Sequence, residues 1–258
     1  MNRTGLIVAL AIAAVAGVMF ALHPELELRI AQPFYEIVDP AHNVFALRLD
    51  PPLMLTRDIG IWIGAVLIAP AVAALVIKLI LPRRKLLVPA RAILFLVSTL
   101  ILGPGLLVNV ALKDHWGRPR PIEVMQFGGS EHFVSWWDPR GECDKNCSFV
   151  SGDVAGAFWT LAPAALAPPQ WRALAYGTAL ALGAAMAALR VVQGGHFVSD
   201  TVFAGVFTFL IIWIVHGLIY RWPRTRLTDE AIERAIERIA MPGHEFIVGL
   251  FKKRKTEL

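Results

Sequence analysis

Residues 92–120 read AILFLVSTLILGPGLLVNVALKDHWGRPR, an uncharged run over 92–112 followed closely by Lys113, Arg118 and Arg120. A helix rises about 1.5 Å per residue, so about 20 apolar residues cross the hydrocarbon core of a bilayer. This run is long enough, and its cationic edge falls where such a helix would leave the membrane. Working outward, five further stretches qualify as spans: 5–22, 59–81, 154–167, 173–189 and 201–220. The only Lys, Arg, Asp or Glu in any of them is Lys78, near enough to the end of its stretch to snorkel into the headgroups. Stretch 154–167 is short, covering about 21 Å as a helix unless residues 151–153 belong to it, and Pro168-Pro169 ends it. The reading is an all-α integral membrane protein, a six-transmembrane-helix bundle.

Composition agrees. Ala, Val, Ile, Leu, Met, Phe, Trp, Tyr and Cys make up 56% of 258 residues before Gly is counted, well above a soluble globular chain. Disorder is excluded, since it needs low hydrophobicity and high net charge. The net charge of +5 sits between apolar blocks, which points to the membrane surface and not to nucleic acid. Segment 82–91 carries Arg83, Arg84, Lys85 and Arg91 without an acid, and the tail 221–258 has nine basic residues against six acidic. Both read as cytoplasmic. Segments 23–58 and 113–153 carry three basic against six acidic and five against seven, and read as extracytoplasmic. Both termini are then expected in the cytoplasm of a bacterial-type inner membrane, with a membrane domain over 1–220 and a cytoplasmic basic amphipathic tail over 221–258. Thr228, Asp229 and Glu230 before Ile232, Ile236 and Ile239 read as a capped amphipathic helix lying along the inner membrane face. Arg3 followed by an apolar run also resembles a signal peptide, but the run is long for one and no cleavage site follows, so a retained helix is expected.

The chemistry gathers on the extracytoplasmic side. Lys113 ends one span, Arg120 follows in a Pro-containing loop, and Arg190 ends another with a fork that matches phosphate oxygens. Ser151-Gly152-Asp153 precedes an apolar segment, and the unpaired N–H groups of a helix N-terminus attract phosphate. His196 and Asp200 stand one helical turn apart, so the carboxylate could fix one ring nitrogen and leave the other to attack.

Lys113-x6-Arg120-Pro121, Ser151-Gly152 and Arg190-x5-His196-x3-Asp200 together resemble the three-part signature of the type 2 phosphatidic acid phosphatase superfamily, which includes vanadium haloperoxidases. The resemblance covers about residues 113–200, a haloperoxidase-like catalytic core. It implies phosphate binding by Lys113, Arg120, Arg190, Ser151 and Gly152, a phosphohistidine on His196, and orientation of His196 by Asp200. No metal or cofactor is implied; the cations neutralise the transferring group instead. Val150 stands where the family has Pro, and Leu189 where it has Ser. Asp153 replaces the usual His that protonates the leaving oxygen and later activates water. Either the leaving group departs without a strong acid, as from a lipid diphosphate, and Asp153 serves only as base, or burial raises its pKa enough to protonate an alcohol.

Other features have plain readings. Arg118 lies two residues off the family spacing and reads as a solvated or headgroup-contacting neighbour. Asp114 and His115 adjoin the site without a spacing that demands contact. His132 reads as a loop residue and His216 as packed against a neighbouring helix. Trp116, Trp136, Trp137 and Trp171 read as interfacial anchors. Cys143 and Cys147 could form a disulfide bracing the chain into the phosphate turn, or remain free thiols; nothing near them has zinc spacing. The expected partner is a membrane lipid phosphate: lipid A, undecaprenyl diphosphate, phosphatidylglycerol phosphate or phosphatidic acid. A lipid phosphotransferase, a small transporter and a non-catalytic scaffold are the competing classes. Transport is disfavoured because the spans lack ionisable residues.

Overall fold

The apolar runs form helices, in which each backbone N–H and C=O finds its partner along the same segment. A computed structural model describes residues 3–39 and 42–256. In chain order the elements are α1 (Arg3–Leu22), α2 (Glu25–Ala31), a hairpin of β1 (Tyr35–Asp39) and β2 (His42–Phe45), α3 (Pro51–Ile80), α4 (Ala90–Leu112), α5 (Gly152–Trp159), α6 (Leu161–Ala165), α7 (Pro169–Val192), α8 (Val198–Arg221) and α9 (Asp229–Thr256). Residues 113–151 are mostly irregular, with short 3₁₀ turns at Pro121–Glu123 and Met125–Phe127.

Among the described residues five helices, α1, α3, α4, α7 and α8, are long and apolar enough to cross a membrane. The expected sixth, 154–167, is two short helices. The break falls at Thr160, whose hydroxyl donates to the Ala157 carbonyl at 2.7 Å. Pro163 compounds it, having no N–H to return to residue 159. The observed helices also outrun the charge-free windows. α3 begins at Pro51 and α7 continues to Val192, so Arg57 and Arg190 lie on helices and not in loops.

Two units are distinguished, Met1–Gly64 with Thr99–Ile214 and Ala65–Ser98 with Val215–Leu258. In the first, Val108 of α4, Val154 of α5, Met186 of α7, Phe203 of α8 and the loop residue Phe149 form one buried cluster. Trp136 and Trp116 join it and are not interfacial anchors. Trp136 donates its indole N–H to the Gly17 carbonyl at 3.1 Å and packs on Phe203 at 4.4 Å between centroids. Trp116 stacks on Phe149 at 5.0 Å. Trp137 and Trp171 are exposed. A second cluster, Ala31, Phe45, Val124, Phe127 and Phe197, ties α2 and the hairpin to the segment holding His196.

In the second unit, α9 opens as its sequence suggests. The Thr228 hydroxyl accepts from Ala231 N at 3.2 Å, and Asp229 and Glu230 occupy the first turn. Lys78 does not reach for headgroups. It is buried, 3.0 Å from Glu233 and 3.6 Å from Glu237, and donates to the Arg84 carbonyl. A buried ammonium needs such partners. Arg91 pairs with Asp229 at 2.9 Å. His216 packs edge-on against Phe95 at 5.7 Å.

Glycines admit several close approaches between helices in the first unit, among them Gly60 to Met186, Gly205 to Phe158 and Gly183 to Phe158. A Cβ on Gly183 of α7 would lie 2.7 Å from the Phe158 ring of α5, whereas one on Gly177 meets nothing within 4 Å. Gly183→Ala is therefore expected to cost about 1–3 kcal/mol by overpacking, and Gly177→Ala to be neutral or stabilising by up to about 1 kcal/mol. Unfolding midpoints of the two variants in detergent check the contrast.

Candidate phosphate-binding active site

The site begins where α4 loosens. Pro104 interrupts the helix, and Ile101–Leu112 continues in wider π-type turns. The Asn109 amide donates to the Pro104 carbonyl at 2.7 Å. Asn109 and Lys113, one turn apart, both approach the start of α5. A Cβ on Gly152 would meet Asn109 Oδ1 at 2.7 Å and Lys113 Nζ at 3.5 Å, so glycine is what admits α5 this close.

Asn146 joins two of the expected phosphate cations. Its side-chain oxygen accepts from Lys113 Nζ at 3.0 Å, and its carbonyl accepts from Arg120 Nη2 at 2.7 Å. It sits at φ 56°, a left-handed conformation that Asn tolerates. Asp114 accepts from its N–H at 3.3 Å, so Asp114 serves the loop. Cys143 and Cys147 are joined in a disulfide with Cα atoms 5.8 Å apart, and Cys147 N donates to the Lys113 carbonyl at 2.8 Å.

Ser151 precedes the first turn of α5, buried, and its Oγ has no hydrogen-bond partner among the described residues; nor has Arg120 Nε. Two buried donors without partners suit an anion. Asp153 is gripped by two guanidiniums. Arg57 of α3 reaches its Oδ2 through Nε at 2.8 Å and its Oδ1 through Nη2 at 3.3 Å, and Arg190 Nε lies 3.2 Å from Oδ2. Burial pushes the Asp153 carboxyl up, but the Arg57 hydrogen bond and the charges of Arg190, Arg57 and Lys113 outweigh it and hold the group below its ordinary range. Burial, reinforced by Arg120, lowers Lys113.

His196 is buried, and its Nδ1 lies 2.8 Å from the Ser148 carbonyl. A carbonyl can only accept, so this contact assigns the proton to Nδ1 and leaves the Nε2 lone pair available. Asp200 does not hold the ring directly, as the i,i+4 spacing suggested. Its Oδ2 is 3.9 Å from Nδ1 and accepts instead from the Ser148 hydroxyl at 2.6 Å and Phe197 N at 2.8 Å. Asp200 thus positions Ser148, and Ser148 positions His196. Burial, then the charges of Arg190, Arg120 and Lys113, push His196 well below the usual imidazole range; the Ser148 contact pulls weakly the other way.

Arg118 is the largest departure from the sequence reading. It is not solvated but wholly buried, donating to Asp200 Oδ1, Glu27 Oε2, the Ser199 hydroxyl and the Val134 carbonyl. Its guanidinium also lies over Phe197, 4.6 Å from the centroid. Burial opposes its charge, but Asp200 and Glu27 outweigh that and keep it protonated. Glu27 completes the arrangement by accepting from Ser199 N at 3.1 Å.

Among the described residues no group of three or more His, Cys, Asp and Glu could hold a metal ion. Residues 91–225 match the PAP2 superfamily. A lipid A 4'-phosphatase of Francisella tularensis subsp. novicida (strain U112) is 37% identical over 227 residues, 86% of this chain and 98% of that protein. The chain belongs to the PAP2 superfamily. A lipid A 4'-phosphatase of Rhizobium leguminosarum is 44% identical over 105 residues, 41% of this chain and 45% of that protein. No solved structure matches. This PAP2 phosphatase is a phosphomonoester hydrolase, and its signature positions converge: Lys113, Arg120, Ser151, Gly152, Asp153, Arg190, His196 and Asp200 all belong to the unit just described. The sequence reading missed Glu27, Arg57, Asn109, Asn146 and Ser148. Glu27 and Arg57 lie outside the matched range and stood among ordinary loop charges, while Ser148 acts partly through its backbone.

Two outcomes follow from this geometry. Arg118→Met strands two buried carboxylates and is expected to cost about 3–5 kcal/mol, measurable by denaturation in detergent. His196 stays neutral in the fold but takes a proton below about pH 6.5 when unfolded. Its contribution to stability is therefore present above that pH and lost as pH falls below it, until the folded ring itself titrates. Thermal midpoints of wild type and His196→Gln between pH 7 and 5 should differ by that component, and the acid limb of wild-type kcat/KM due to His196 should lie well below 6.5.

Proposed function

We propose that this phosphatase removes a phosphate monoester from a glycolipid of the lipid A class, at the extracytoplasmic face of the cytoplasmic membrane, through a phosphohistidine on His196. The observation that carries the chemistry is the His196 Nδ1–Ser148 carbonyl contact, which leaves the Nε2 lone pair of a neutral ring free, within the field of Arg190, Arg120 and Lys113. Those cations, with the Ser151 hydroxyl and Gly152 N–H, stabilise the charge of the transferring phosphoryl group. Nε2 attacks phosphorus as the bond to the leaving oxygen breaks, and that oxygen takes a proton relayed from solvent through Asp153. Water then attacks, Asp153 takes a proton from it, and the Nε2–P bond breaks to release phosphate. Asp200 and Arg118 act behind the imidazole.

The substrate class rests on the Francisella relative, which covers most of both chains, and on the polar segment 113–151, long enough to contact a sugar headgroup. Six crossings are part of this reading, with α5–α6 as the short fourth. Arg190 near the end of α7 meets Asp153 at the start of α5, so α7 returns to the level from which α5 departs. The cationic segments 82–91 and 221–258 support a cytoplasmic side for both termini, with the tail helix at the inner face. The catalytic core is 113–200. One observation favours a second substrate: the ionised Asp153 suits a lipid diphosphate such as undecaprenyl diphosphate, whose leaving group needs little acid.

Phosphate release from lipid A and from a mono- and a diphosphate of one prenol tests the reading. The expected result is fastest release from lipid A, loss of at least about 10³-fold in His196→Ala, and an acid-labile phosphoryl-enzyme in wild type only. Full activity in Asp153→Ala removes its assigned role, and a strong diphosphate preference selects the second substrate.

A further inference from the structure

Asp153 poses a difficulty for hydrolysis of a sugar phosphate. An alcohol leaving group needs a proton, yet two guanidiniums hold Asp153 as a carboxylate. Arg57 offers the way out. It forks both oxygens of Asp153, the bidentate geometry by which arginine also holds phosphate. Arg190, already a phosphate residue of the proposed site, converges on the same carboxylate at 3.2 Å. Neither partner is sealed in. The side chains of Arg57 and Asp153 keep 27% and 21% of their accessible surface, against 0% for Arg118, so a headgroup can reach this pair and cannot reach that one. Arg57, Lys113, Arg120 and Arg190 then outnumber two carboxylates, Asp153 and the exposed Asp58 at 3.8 Å from Arg57, an excess suited to a phosphate dianion.

We propose that Arg57 is a fourth phosphate-binding cation that exchanges its partner Asp153 for an oxygen of the substrate phosphate. This rests on the phosphatase reading and deepens it. The arriving dianion draws Arg57 away and adds negative charge beside Asp153, which takes a proton from solvent. Asp153 gives that proton to the leaving oxygen as the P–O bond breaks and the Nε2–P bond forms. The freed carboxylate takes a proton from the attacking water as the Nε2–P bond breaks and returns it to solvent when phosphate leaves and Arg57 pairs with it again, so ester and water become alcohol and hydrogen phosphate with Asp153 back as a carboxylate. Arg57 gates the protonation of Asp153, which makes substrate binding itself the trigger for acid catalysis.

Titration calorimetry of the full chain in detergent with inorganic phosphate tests the contact without turnover. Arg57→Gln should weaken phosphate binding at least about tenfold, with Arg57→Lys between it and wild type. The same tenfold loss should persist when Arg57→Gln is made in an Asp153→Asn background. Affinity unchanged within twofold in Arg57→Gln, or a loss that disappears in the Asp153→Asn background, overturns the proposal; the latter would show that Arg57 acts only through Asp153. Failure of the phosphatase reading is seen separately, as a wild-type protein that releases no phosphate from any lipid phosphate.

Discussion

One guanidinium enclosed by two carboxylates fixes the geometry on which the chemistry depends. Arg118, Glu27 and Asp200 are all withdrawn from solvent, where a charge left without its partner costs several kcal/mol. Their mutual hydrogen bonds join α2, the loop after α4 and the start of α8. This junction reaches the imidazole at second hand. Asp200 holds the Ser148 hydroxyl, and Ser148 holds Nδ1 through its carbonyl. A neutral oxygen at the ring nitrogen settles the tautomer without adding a charge in direct contact.

Around that fixed ring the charges are unbalanced by design of the fold. Cations converge from α3, the end of α4, the following loop and α7, and Asp153 is the carboxylate set among them. Burial, reinforced by the charges of Arg190, Arg120 and Lys113, keeps His196 unprotonated, the form its proposed role as nucleophile requires. The neighbouring cations keep Asp153 ionised. The same surroundings thus favour the proposed attacking group and hinder the proposed proton donor, the conflict that the proposed exchange of Arg57 from Asp153 to phosphate resolves.

Much of this was legible in the sequence. Long uncharged runs gave the helices, and three spaced motifs gave eight residues that the fold brings together. The criterion that found the helices also misplaced their ends. Searching for charge-free windows cuts a helix where its first ionised side chain appears, at Asp58 and Arg190 here, and so left Arg57 and Arg190, the two guanidiniums beside Asp153, outside the windows. Stretch 154–167 looked like one helix by composition, but Thr160 and Pro163 divide the backbone there into two. Arg118 was misread because its partners lie 82 and 91 positions away, beyond any local spacing. Glu27, in a seven-residue helix, resembled every other acidic residue of its loop.

The anchoring of the segment after α4 has an evolutionary side. Its two ends are fastened to each other, Lys113 and Arg120 to Asn146, with the Cys143–Cys147 bridge beside the join. What lies between is itself tied inward, Val124 and Phe127 beside Phe197 and Trp136 against Phe203. Sequence drift that spares the reactive centre is therefore confined to its outward positions, such as Met125, Trp137 and Arg140.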